Sequence, residues 1–103
     1  MVARGEVWWY EAPGRDARPH LILTRDAAID VLNQVLAVPA TRTIRGIPTE
    51  VALDSDDGMP EACVLTLDNV TPIRRALCTE RITTLSPARM HQVCEALRRA
   101  TSC

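Results

Sequence analysis

At 103 residues, with twelve arginines, no lysine, thirteen acidic residues and a formal net charge of −1, the chain has room for one modest core. Its near-neutral balance excludes a surface that binds polyanions everywhere. The lack of lysine also excludes Schiff-base chemistry, a lysine nucleophile and a phosphate-loop lysine.

Val7 to Tyr10 is aromatic and β-branched, is bounded by Gly5 and by the turn cluster Ala12-Pro13-Gly14, and reads as the first strand. Arg18 to Thr24 is an apolar run of strand length. The segment Thr24 to Asp30 reads as one helical turn or a loop, with Thr24 as its cap. Gln34 to Val38 is nearly continuously apolar and reads as a buried strand that delivers Pro39-Ala40-Thr41. Thr49 to Leu53 alternates and reads as half buried, and Asp54 to Pro60 is an acidic, turn-rich loop. Ala62 to Leu67 is a further strand that ends at Asp68-Asn69, and Thr79 to Thr83 a last short one. Ser86 then caps a terminal helix with Pro87 at its first position. Met90, Val93, Cys94 and Leu97 repeat at helical spacing as one apolar stripe. Five to seven short strands and one helix in a chain of this size predict a small, strongly bent sheet or partial barrel, a β-rich α+β fold.

Apolar content is ordinary for a packed domain. No apolar run is long enough to span a bilayer, and the first residues lack a charged-then-apolar export pattern. One domain over residues 1–103, in the cytoplasm and away from membranes, is expected. Cys63, Cys78, Cys94 and Cys103 are scattered without a Cys-x-x-Cys pair, so neither a zinc site nor a disulfide framework is expected. His91 and Cys94 are spaced as a helical ligand pair, but Cys94 reads better as a buried thiol. Charge is segregated: the stretch from Gly46 to Ile73 has six acidic residues and no arginine, while arginines gather at 15–25, 42–45 and 74–81. A local basic groove fits this pattern.

Taken in order, Arg4-Gly5-Glu6-Val7-Trp8, Arg18-Pro19 with its apolar tail, Val38-Pro39-Ala40-Thr41, Ile47-Pro48-Thr49-Glu50-Val51 and Leu67-Asp68-Asn69-Val70 resemble the MazF/PemK family of toxin endoribonucleases. Each motif alone is common. Five in the right order and spacing are specific. The resemblance implies an SH3-like small barrel, the CcdB/PemK-like toxin fold, with a C-terminal helix. It also implies a type II toxin that cuts single-stranded RNA (mRNA, tRNA or rRNA) without metal or cofactor. In that reaction the ribose 2′-hydroxyl attacks its own phosphate, leaving a 2′,3′-cyclic phosphate and a 5′-hydroxyl. The implied partners are a second copy of the chain and a cognate MazE-like antitoxin.

By the same resemblance Arg18 matches the catalytic arginine and Thr41 the catalytic hydroxyl residue. A planar guanidinium suits two phosphoryl oxygens at once, and a hydroxyl can donate or accept. Arg15, Arg42 and Thr43 flank the pair and are assigned to RNA binding. Asp68 and Asn69 read either as readers of base edges or the 2′-hydroxyl, or as a turn that ends a strand. His20 shares a strand face with Arg18 and is a candidate acid or base; a hydrogen-bonded structural histidine is the preferred reading, because relatives usually carry an aliphatic residue there. Of Trp8 and Trp9, alternation puts one in the core and leaves the other for base stacking or an interface. Many relatives have an arginine where this chain has Thr71, which leaves Arg74 or Arg75 to replace it. Two rival readings are a CcdB-like gyrase poison of the same fold, disfavoured by the absence of a terminal Trp-Gly-Ile, and an RNA-binding module that does not cut.

Overall fold

The computed structural model describes all residues from Met1 to Cys103. Seven strands form an antiparallel sheet: β1 (Glu6–Tyr10), β2 (Arg18–Ile22), β3 (Gln34–Thr41), β4 (Glu50–Leu53), β5 (Cys63–Thr66), β6 (Thr71–Arg74) and β7 (Cys78–Thr84). A one-turn helix α1 (Asp26–Ile29) links β2 to β3, and α2 (Pro87–Thr101) ends the chain. The strand order is β4-β5-β3-β2-β1-β7, with β6 added against β3.

β3 is the corner of the fold. Its middle pairs with β2 through His20↔Pro39, Leu21↔Val38 and Ile22↔Ala37, its first half pairs with β6, and its last two residues, Ala40 and Thr41, pair with β5. Val35 and Ala37 face a smaller core that contains Val2, Ile22, Ile29 and Ile73. Val38 and Ala40 face the larger core, shared with Val7, Leu21, Leu53, Leu65 and α2. Ala37 and Val38 are therefore both buried although they are consecutive, because the sheet is covered on both faces at that point. The expectation of a strand buried throughout holds only for this middle part. Gln34 and Leu36 point outward, and Leu36 is half exposed.

Two further expectations are corrected. Thr24 does not cap α1, whose preceding residue Arg25 makes no side-chain cap. Instead the Thr24 hydroxyl accepts from the Leu36 N–H at 2.7 Å, extending the β2–β3 ladder where backbone pairing ends. β6 was not expected at all, since Pro72 lies inside it. Proline is tolerated there because β6 is an edge strand whose one partner is β3, so no ladder donor is lost on the far side.

The terminal helix forms as its local signals dictate. The Ser86 hydroxyl accepts from the Arg89 N–H at 3.1 Å, and Pro87 occupies the first turn. Val93 and Ala96 are buried and Met90, Leu97 and Ala100 pack beside them, so α2 covers the larger core. Cys94 sits at the rim of this stripe, half exposed, with its Sγ 3.5 Å from Arg4 Nη2, and is not the buried thiol expected. No helix is long and apolar enough to cross a membrane.

Candidate active site

The β2–β3 ladder runs from Ile22↔Ala37 to His20↔Pro39. Two residues further along the same register stand Arg18 and Thr41, at the open end of the ladder. There β3 leaves β2 and turns its last residues to β5, with Thr41 opposite Val64. The two strands splay, and the opening is a groove of about 660 Å³ whose walls include Arg18, Thr41, Arg42, Thr43 and Trp9. The far wall is the Met59–Cys63 segment that leads into β5. The Thr41 Oγ1 accepts from the Thr43 N–H at 3.2 Å, which leaves its own proton free to donate. The guanidinium of Arg18 is exposed and joins none of the side-chain hydrogen bonds or ion pairs of the fold.

Arg18 also borders a second groove of about 720 Å³ on its other side, with Arg15, His20 and Asn69. His20 is buried, with Nδ1 3.1 Å from the Arg18 carbonyl oxygen and its ring edge-on to Tyr10 at 5.0 Å. Burial lowers its pKa first, the Arg18 charge lowers it further, and the hydrogen bond to the Arg18 carbonyl opposes both; the net direction is down. A neutral ring donates through Nδ1–H to that carbonyl and leaves Nε2 as the acceptor. Cys63, in the wall of the first groove, has its thiol pKa raised by burial and by the nearby Asp57 and Glu61 carboxylates. Both effects favour the protonated thiol over the nucleophilic thiolate.

Seven of the eight expected site residues thus line two grooves that meet at Arg18. Asp68 lines neither, because its carboxylate accepts from the Thr49 hydroxyl at 2.6 Å. Arg74 and Arg75 do not line the groove in which Thr71 takes the place of the arginine that many relatives carry. Thr71 lines the groove with His20, whereas Arg74 and Arg75 lie with Arg4 and Arg25 in a separate groove of about 1160 Å³ on the outer face of β3 and β6. Trp8 packs against the smaller core, so Trp9 is the tryptophan left for the site. Sequence reasoning missed Glu61 and Asp16, both in the groove wall. Their only local signal is charge, and their placement depends on strand pairing that charge does not reveal.

Residues 3–101 match the family of PemK-like, MazF-like toxins of type II toxin–antitoxin systems. The chain is 44% identical over 103 residues to the probable endoribonuclease MazF2 of Mycobacterium tuberculosis, covering 99% of this chain and 100% of that one. It is 41% identical over 104 residues to the probable endoribonuclease MazF5 of the same species, covering 100% and 95%. A solved endoribonuclease in complex with its cognate antitoxin, from a mycobacterial species, superposes with a TM-score of 0.89 at 28% identity, covering 99% of this chain and 96% of that one. The SH3-like small barrel with a C-terminal helix is borne out.

Proposed function

The chain belongs to the PemK-like, MazF-like toxins of type II toxin–antitoxin systems, and on that premise we propose that it is a cytoplasmic endoribonuclease cutting single-stranded RNA at particular sequences, without ribosome, metal or cofactor. The observation that carries this reading is the meeting of Arg18 and Thr41 across one groove, with the Trp9 ring in the same wall.

In the proposed reaction the ribose O2′ bonds to the adjacent phosphorus and the P–O5′ bond breaks. A proton leaves O2′ and another reaches O5′, so the products are a 2′,3′-cyclic phosphate and a 5′-hydroxyl. The nucleophile belongs to the substrate, and the protein must align the backbone and hold the charge that builds on the phosphorane. Arg18 grips two nonbridging oxygens with its unengaged fork. Thr41 donates its free proton to a phosphoryl oxygen or orients the 2′-hydroxyl. Arg15, Arg42, Thr43 and Asn69 hold the flanking nucleotides, and Trp9 stacks a base. Asp68 holds the turn that presents Asn69 through its bond to Thr49. His20 positions the Arg18 backbone through its ring nitrogen.

The protein would act as a homodimer held in check by a MazE-like antitoxin. The outer face of β3 and β6 supports the dimer reading: Leu32 and Leu36 stand exposed among its arginines, with Val31 beside them. Such side chains suit a face covered by a second copy.

The test is incubation of single-stranded RNA with the protein in EDTA, followed by mapping of new 5′ ends. Discrete cuts with 5′-hydroxyl and cyclic-phosphate termini are expected, lost in Arg18→Ala and strongly reduced in Thr41→Ala. Intact RNA with wild type, or equal cutting by both variants, would return the chain to a binding module without catalysis.

A further inference from the structure

Arg42 is already occupied. Its Nη1 lies 3.1 Å from Glu61 Oε2, and both side chains belong to the groove that holds Arg18 and Thr41. Arg42 follows the end of β3 and Glu61 precedes the start of β5, so the pair spans the mouth of the groove from one strand to the next.

The backbone that carries Glu61 is fixed from below. Asp57 accepts two hydrogen bonds from Arg89 on α2, from Nε at 2.9 Å and Nη2 at 3.1 Å, and the Thr83 hydroxyl donates to its carbonyl at 2.8 Å. Gly58 has φ +88°, and a Cβ there would collide with the Thr83 side chain. Met59 is buried in the larger core, and β5 begins at Cys63. Glu61 therefore springs from a mounted segment and not from a loose loop. Its side chain is nevertheless well exposed, 63% against 78% for Arg42. An ion pair that exposed holds weakly, and a phosphate, with more charge and more acceptor oxygens, competes for the same guanidinium.

We propose that Glu61 is a carboxylate latch, an internal stand-in for an RNA phosphate that keeps Arg42 engaged until the substrate displaces it. The inference rests on the reading of this groove as an RNA site. Before Arg42 can bind a phosphate, the Arg42–Glu61 pair has to be given up. Glu61 thereby lowers RNA affinity and removes one arginine from the contacts the free protein offers. Asp16 adds a second negative charge to the same wall, but it joins no ion pair with Arg42, and the latch is specific to the Glu61 pair.

The probe is a short, labelled, mixed-sequence 2′-O-methyl RNA, which has no free 2′-hydroxyl and cannot be cut. Its binding to the full chain is followed by fluorescence anisotropy across a salt series. Glu61→Gln keeps the size of the side chain at an exposed position. It should bind about two- to fivefold tighter than wild type, the range an exposed ion pair is worth, and the gain should shrink as salt screens that pair. In an Arg42→Gln background the same change should give no gain. A gain that persists without Arg42 would reduce Glu61 to bulk charge, and no gain or weaker binding in Glu61→Gln would overturn the latch outright. If Arg18→Gln and Arg42→Gln both bind as wild type does, the groove is not the RNA site and the functional reading falls as well. If those two weaken and Glu61→Gln alone is silent, only the latch falls.

Discussion

In the corner built on Arg4, Gly5 and Glu6, the Arg4 guanidinium donates to the Leu23 carbonyl, its backbone N–H donates to Asp26, and Glu6 accepts from the Ala3 N–H, the Trp8 indole and Arg81. At the groove edge, the guanidinium of Arg18 is engaged by nothing in the fold, and the Thr41 hydroxyl keeps its proton. Both regions begin with an arginine, followed by the freest backbone residue in one, Gly5, and the most restricted in the other, Pro19, and both belong to the motifs that mark the family. The first closes β1 onto its neighbours: Gly5 sits at φ +88°, receives the Leu85 N–H on its carbonyl and gives its own N–H to Ile22. The second leaves its polar groups unsatisfied at a surface where a ligand can satisfy them. A motif can mark a family for structural reasons in one place and for chemical ones in another, and hydrogen-bond saturation tells them apart.

Exchanging the two arginines for alanine should separate the regions most widely. Arg18→Ala should lower kcat/KM for RNA cleavage by about 10²–10³, as removal of a charge-stabilising donor does, while moving stability by no more than about 0.5 kcal/mol, as expected of an exposed side chain. Arg4→Ala should do the reverse, costing about 1–3 kcal/mol of stability through the bonds it leaves unmade, with cleavage per folded molecule retained. Urea denaturation beside single-turnover cleavage decides it, and a folded Arg4→Ala protein that no longer cuts would erase the distinction.

Glu6→Ala tests the saturated corner alone. Burial raises the Glu6 pKa, but the hydrogen bonds from Trp8, Arg81 and Ala3 and the Arg81 charge outweigh it, and the net direction is down. Its loss should cost about 2–4 kcal/mol, because a part-buried indole N–H and a backbone N–H lose their acceptor. A carboxylate whose folded pKa is lowered contributes stability that is present above the unfolded value and is lost as pH falls through the folded one. The variant should therefore show a flatter stability curve than wild type through the acid range of carboxylates, measured by denaturation at stepped pH.

The parts of this structure legible in the sequence are those whose causes are local. Ser86 and Pro87 fix the start of α2 by chemistry within one turn, and the apolar runs around Val7, Leu21, Val51 and Leu65 give strands whatever they pair with. β6 was hidden because Pro72 argues against a strand, and only its edge position, a fact of topology, makes it acceptable. Arg18 and Thr41 were found through family motifs. What unites them is the antiparallel register His20↔Pro39, which no window of sequence contains. The Arg42–Glu61 pair lay further out of reach, since it needs β3, β5 and the Arg89–Asp57 tie to be in place together. Arg74 and Arg75 were expected near Thr71 by sequence distance; strand alternation and the following 3₁₀ turn, Arg75–Leu77, carry them to the other groove.

His20 stands between the two regions, with one nitrogen committed to the Arg18 carbonyl and the other free, and so gives the finest and smallest test of the contrast. Its lowered pKa means that the unfolded chain takes up a proton before the folded one does. Stability should then decline as pH falls from about 6.5, the ordinary histidine value, toward the folded value. His20→Gln cannot charge, so this part of the decline should vanish in it. As a positioning residue the histidine should be replaceable by glutamine, whose amide N–H can still donate to a carbonyl. Cleavage should then fall by less than about tenfold, short of the 10²–10⁴ that a lost general base costs, with no change in the shape of the pH–rate profile. If wild type instead shows an acid limb that glutamine abolishes together with most of the rate, Nε2 accepts the proton of the 2′-hydroxyl. The boundary between saturated and free groups would then run through the imidazole ring itself.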